Sequence, residues 1–212
     1  MTKVSKSKRC QTFDLKGRNM KRDSDIVCEA VAHELGKKSN GVTNEDYDKI
    51  EELSLRNSEI LDLAPINKCT NLRKLYLSGT RVFDLEPITA LYNLQWLDLC
   101  GTQVTNLSPI TFLNNLEVLN LAHTKVADLE PISKIISIKR LYLDGMQVSN
   151  LEPLRELSNL TKLHISNTEI EHLEPLKNLI KLQELWLEGC KNVSDHQVEQ
   201  LEKALPKLII RR

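Results

Sequence analysis

A chain of 212 residues, 41% hydrophobic with nine aromatics, is long enough for one large or two small domains with a real core. Its formal charge is zero but unevenly spread: residues 1–22 hold eight Lys/Arg against the single acid Asp14, leaving 21 basic and 28 acidic residues in the remainder. No apolar run reaches the length of a membrane span, residues 1–35 lack the apolar core of a signal peptide, and five scattered cysteines (Cys10, Cys28, Cys69, Cys100, Cys190) without a C-x-x-C pair argue against a disulfide framework and a zinc ribbon. The expected compartment is the cytoplasm, or a destination reached without a cleavable signal, for example a host cell.

Residues 1–22 are rich in Ser, Lys and Arg and show no apolar periodicity, so the expectation is a basic disordered tail. Such a tail could touch nucleic acid or an acidic membrane, or rest on the acidic body behind it. Residues 23–49 read as a helical cap. "DSDIVCEAVAHELGKK" places Ile26, Val27, Ala30, Val31 and Leu35 at helical spacing, with Asp23 or Ser24 as N-cap. "VTNEDYDKIEELSL" reads as a short second helix capped by Thr43 and running into a strand.

From Ile50 onward the chain repeats. Rows of 22 residues begin at Ile50, Leu72, Leu94, Leu116, Ile138, Leu160 and Leu182, with the pattern L-x-x-L-x-L-x-x-T-x-V-x-D-L-x-P-I-x-x-L-x-N. Six of the seven prolines (65, 87, 109, 131, 153, 175) fall at one row position. Apolar residues at the first, fourth and sixth positions predict a short strand with one buried face, and those at the fourteenth, seventeenth and twentieth a single tight turn of 3₁₀ type. Proline sits at the mouth of that turn, where a missing N–H costs nothing. This period and spacing mean an α/β leucine-rich repeat solenoid, curved and right-handed, with parallel strands on the concave face and short helical turns on the convex one. Residues 50–181 form six repeats; residues 182–212 hold the last repeat, which gains one residue, a capping helix in "SDHQVEQLEKALPK" and a final strand in "LIIRR". The ninth position, where this class usually carries Asn, reads Ser58, Thr80, Thr102, Thr124, Met146, Thr168, Cys190, and Met146 cannot replace the hydroxyl's hydrogen bond.

The 22-residue rows, the "DLxPI" turn and the opening "LGKK…VTNEDYDKIEELSL" resemble internalin-type leucine-rich repeat proteins of bacteria, over roughly residues 23–190. The resemblance implies a rigid, non-catalytic domain that binds a protein partner on its concave face. Unlike surface internalins, the chain shows no signal sequence, wall-anchoring tail or immunoglobulin-like domain, so an intracellular adaptor or a delivered bacterial effector is expected rather than an adhesin. Similar rows occur in a eukaryotic regulatory subunit of protein phosphatase, which keeps a phosphatase-regulating role open.

In this fold the third, fifth and seventh row positions point out from the strands. The third-position column runs Glu52, Lys74, Trp96, Val118, Arg140, Lys162, Glu184, and the fifth runs Ser54, Tyr76, Asp98, Asn120, Tyr142, His164, Trp186. Four of the nine aromatics fall on these fourteen sites, where random placement would put fewer than one. Exposed Trp, Tyr and Arg supply interface hot spots, so Lys74, Tyr76, Trp96, Asp98, Val118, Asn120, Arg140, Tyr142, Lys162, His164 and Trp186 are the candidate partner-binding residues. Trp96 is the expected anchor, with Val118 beside it leaving an apolar patch in water and Asp98 and Cys100 as polar and small neighbours. Mixed charges favour a protein over nucleic acid as partner. Cys100 and His123, with Asp98 and Asn120, make a conceivable nucleophile–base pair, but an outward solenoid face offers no water-excluding pocket. His123, Asp144 and His164 share no metal-ligand spacing. The expectation is therefore a monomeric binding module with no cofactor, no metal and no catalytic residues.

Overall fold

The computed structural model describes residues 12–13 and 19–212. The basic tail expected over residues 1–22 lies largely outside the described residues. Within it, Thr12–Phe13 (β1) pairs antiparallel with Asn19–Met20 (β2), and ion pairs Lys21–Glu29 (2.6 Å) and Arg22–Asp25 (2.8 Å) join its end to the first helix.

The repeat folds as its pattern predicts. Strands β3 (Glu52–Ser54), β4 (Lys74–Tyr76), β5 (Trp96–Asp98), β6 (Val118–Asn120), β7 (Arg140–Tyr142), β8 (Lys162–His164), β9 (Glu184–Trp186) and β10 (Ile209–Arg211) form one parallel sheet in chain order. From β3 to β9 every residue pairs with the one 22 positions later, Lys74 with Trp96 and Trp96 with Val118. Each row supplies only three strand residues, the outward pair flanking a buried leucine such as Leu97. The ladder continues beyond the strand: Leu99 N–H donates to the Asn120 carbonyl at 2.8 Å and Gly101 N–H to that of Ala122 at 2.9 Å. Opposite the sheet, 3₁₀ turns open with the repeated proline, as in Glu86–Ile88 and Ser108–Ile110. The thirteenth-position acid or Asn caps this turn: Asp84 Oδ1 accepts from Glu86 N–H at 2.9 Å, and Asn106 and Asp128 do the same one and two rows on. Between sheet and turns runs one continuous core, and Cys69 occupies a leucine position in it, where burial pushes its thiol up to about 12.

Two side-chain hydrogen bonds recur down the solenoid, one within each row and one between rows. At the ninth position the Thr80, Thr102 and Thr124 hydroxyls each donate at 2.7 Å to the carbonyl three residues back. Met146 breaks that series, and the backbone bond of its turn, Met146 N–H to Leu143 carbonyl, is 3.3 Å against 3.1 Å in the rows of Thr102 and Thr124. At the row end, Asn93, Asn115 and Asn159 donate from Nδ2 to backbone carbonyls of the preceding row, and Asn71 of the first row to the Asp48 carbonyl of the cap.

The eighth position adopts the left-handed conformation in all seven rows: Asn57, Gly79, Gly101, His123, Gly145, Asn167 and Gly189 have φ between 55° and 75°. A Cβ on Gly145 would stand 2.4 Å from His123 Nδ1, and one on Gly189 2.3 Å from Asn167 Oδ1. A larger side chain in one row thus lies over the glycine of the next. Gly101, whose predecessor is Gly79, has only the Gly79 backbone nitrogen near, at 4.0 Å.

The caps close both ends. Helix α1 (Asp23–Glu34) packs Val27 and Val31 onto the first rows. Its N-cap is Arg22, not Asp23 or Ser24; the Asp23 carboxylate instead accepts from the backbone N–H of Leu61 and Asp62, both at 3.1 Å, because that bond docks the helix on the first turn. Thr43 caps α2 (Asn44–Tyr47) through a reciprocal box with Asp46. Asp46 is buried, and Lys37 (2.7 Å), Thr43 N–H (2.9 Å) and Lys49 (3.0 Å) together hold its carboxyl well below the usual carboxylate range. At the far end Ser194 and Gln197 form the same box on α3 (Asp195–Ala204), and β10 pairs with β9.

Two predictions follow from these contacts. Gly101→Ala should cost about 1–2 kcal/mol by the left-handed backbone alone, whereas Gly145→Ala should cost more, and the excess should vanish in the His123→Gly background; urea denaturation of the four variants measures this. For Asp46 the folded value is depressed, so its contribution is complete above the ordinary carboxylate pKa of about 4 and is lost as pH falls through the folded value. The melting-temperature deficit of Asp46→Asn should therefore be largest near neutral pH and shrink on acidification.

Candidate protein-binding face

The register sets both outward columns side by side, so all eleven candidate residues, Lys74 through Trp186, lie on one strand face. The face is packed against itself rather than presented as loose side chains. In its first half two arginine arms converge on row three. Arg56 crosses row two, stacks over the Tyr76 ring at 4.1 Å and reaches Asp98 Oδ2 at 3.0 Å. Arg140 of β7 crosses Val118 and lays its guanidinium over Trp96 at 4.9 Å. The Tyr76 and Trp96 rings meet at 5.9 Å, tilted by 49°.

These arms correct two expectations. Val118 is 3% exposed, so it leaves no apolar patch in water; its strand neighbours Trp96 and Arg140 roof it from both sides. Asp98 is 6% exposed and stands as a buried ion-pair partner of Arg56, its other oxygen accepting from Cys100 N–H at 3.2 Å. The Trp96 indole Nε1–H is shut off from solvent and has no acceptor among the described residues. An unpaired buried donor costs about 1–3 kcal/mol.

The second half is a stack. Tyr142, His164 and Trp186 follow on neighbouring strands, with ring centroids 4.6 Å and then 3.8 Å apart, the second pair nearly parallel at 15°. Arg211, paired with Trp186 in β10, extends the series, its guanidinium 5.3 Å from that ring. Burial pushes the His164 imidazole below its ordinary value, against the opposing pull of Asp144, whose Oδ2 is 3.8 Å from Nδ1. Lys74 pairs with Glu52 at 3.0 Å and Lys162 with Glu184 at 2.6 Å, while Asn120 Oδ1 accepts from Ala122 N–H at 3.0 Å.

Arg56 and Arg211 belong to this face but escape a reading of the candidate columns. Arg56 sits at a seventh position and acts two rows away, and Arg211 reaches Trp186 only once the inserted cap has been folded. The Cys100–His123 pair is not assembled: the His123 ring turns onto Gly145 of row five, away from row three. Burial, followed by Asp98 and Asp144, pushes the Cys100 thiol up. Among the described residues no group of three His, Cys, Asp or Glu is placed to hold a metal, the described cysteines are free thiols, and no helix is long and apolar enough to cross a membrane.

A thiol of this kind reacts slowly. Cys100 should be alkylated by iodoacetamide several-fold more slowly than glutathione at about pH 8, followed by peptide mass spectrometry; fast, site-selective labelling at neutral pH would contradict the geometry.

Comparison with known proteins places this architecture. A family model described as a leucine-rich repeat region matches residues 49–211. Among solved structures, internalin C2 of Listeria monocytogenes is similar at 32% identity and a TM-score of 0.79, over 87% of this chain and 81% of that one. Internalin F of the same organism is similar at 23% identity and a TM-score of 0.77; the match covers 88% of this chain but 54% of internalin F. A leucine-rich repeat protein of Leptospira interrogans shares the fold at 20% identity and a TM-score of 0.52, over 81% of this chain and 57% of that one. No curated protein sequence matches significantly.

Proposed function

The chain belongs to the internalin-type leucine-rich repeat family, and on that premise we propose that it is a protein-interaction module that docks a protein partner on its concave strand face, as an adaptor or effector. The observation that carries this reading is the self-packed aromatic and arginine surface on the candidate columns. Tyr76, Trp96, Tyr142 and Trp186 are half-buried and fixed by neighbours on adjacent rows. Half-buried aromatics already held in place lose little conformational entropy on binding, which is what makes a hot spot effective. Family membership supports the same use of the fold, and the chain is assigned no catalytic role.

A second reading rests on the charge excess of residues 1–22, which would tether the protein to nucleic acid or an acidic membrane. One experiment separates the two: capture of partners by the wild type and by a Trp96→Ala/Trp186→Ala variant, each at low and high salt. A partner retained by the wild type at high salt and lost by the variant supports the concave face, and either single substitution should then cost ~2 kcal/mol or more of affinity by calorimetry. A partner kept by the variant but released by salt and by deletion of the tail would move the function to residues 1–22.

A further inference from the structure

The charges on the concave face do not all cancel. Arg56 is held by Asp98, Lys74 by Glu52 and Lys162 by Glu184. Arg140 and Arg211 are the exceptions: among the described residues neither pairs with a carboxylate, and their guanidinium groups lie over the Trp96 and Trp186 rings, of which only Trp96 has a buried indole N–H without a partner. Asp98 is already engaged by Arg56 and by Cys100 N–H. Asp144, in the same row as Arg140, lies four residues along an extended chain, about 13 Å away, and accepts from Ser166 N–H at 2.9 Å. A guanidinium carries five donors in a rigid fork that matches a carboxylate, and here the arm is half-buried and held against Trp96 with that fork unused.

The second observation is independent of charge. Trp96 Nε1 is a buried donor with no acceptor among the described residues, in the ring on which Arg140 lies. Buried polar groups are paired in the great majority of cases, so an orphan donor asks for an explanation. Two donor groups, one cationic and one neutral, therefore meet on row three, and among the described residues neither has an acceptor. An incoming carboxylate that draws the arm off the ring face is a group able to satisfy both.

We propose that the Arg140–Trp96 cluster is the seat of an Asp or Glu side chain of the protein partner, so that the module recognises an acidic segment at the centre of its concave face. This deepens the proposed function and rests on it. A nucleic acid would offer anions too, but the neighbouring Asp98, Asp144 and Glu184 break any one-signed track.

The test uses the full chain and a random 12-residue peptide library displayed on phage, selected at moderate salt against the wild type and counter-selected against Trp96→Ala. The peptides that survive are resynthesised with each Asp or Glu replaced by its amide. Binding to the wild type, Arg140→Gln and Arg140→Lys is measured by calorimetry, and folding of each variant is checked by circular dichroism. The expected result is that one acidic position recurs, that its amide and Arg140→Gln each weaken binding about 10-fold or more, and that the two losses do not add. The Trp96 indole N–H resonance should shift on binding of the acidic peptide and stay in place with its amide. Peptides that need Trp96 but bind equally well to Arg140→Gln, or equally well as amides, overturn the carboxylate seat and leave the concave face in use. A library that yields no Trp96-dependent binder overturns both.

Discussion

A 22-residue row cannot bury its own leucines, and everything else in this molecule depends on that constraint. Each row contributes three strand residues and one tight turn, too little for a core, so its apolar stripe becomes stable only against the identical stripe of a neighbour. Stacking like on like forces residues one period apart into register, which is why Leu75, Leu97, Leu119 and Leu141 form one buried column. The same demand explains the polar ladders. Row-end asparagines donate to backbone carbonyls of the preceding turn, and threonine hydroxyls add a second hydrogen bond to a carbonyl that the backbone N–H of the same threonine already engages. It explains the caps as well, since the first and last stripes have no neighbouring row and need α1 and α3 over them.

Register has a consequence on the other side of the sheet. Outward side chains are brought to strand spacing whether or not they suit one another, so each column is a line of forced neighbours. This chain fills those lines with groups that attract: arginine on tyrosine, arginine on tryptophan, histidine between tyrosine and tryptophan. The result is a surface of half-buried rings and guanidinium groups whose rotamers are set before any partner arrives. Rigidity of the backbone and fixing of the side chains act together, and they are what a binding face needs in order to keep its entropic cost low.

Row three is where these lines cross. Arg56 from two rows before and Arg140 from two rows after both end on it, one at Asp98 and the other at Trp96. An arginine side chain is long enough to pass over one row, about 5 Å, and touch the next. Between them the arms cover Val118 and Asp98, so the segment with the most conspicuous outward residues is also the best shielded.

The sequence by itself determined the solenoid, its register and both outward columns, because a fixed period converts chain position directly into position in space. Trp96 beside Val118, and Tyr142 beside His164, can be read off the rows without coordinates. The cap helices and Thr43 as the cap of α2 were legible from apolar stripes at helical spacing, whereas the Arg22 N-cap of α1 and the reciprocal bond from Asp46 to Thr43 were not. Only the tertiary structure decided what the outward side chains do once there, since the reach of a long arginine spans more than one period and no row pattern encodes its direction. That is why Val118 is roofed and Asp98 is buried. The left-handed eighth position lay hidden too: Asn, Gly and His are different letters in the sequence, and only the backbone angle, with each larger side chain resting on the glycine of the next row, shows them to be one position.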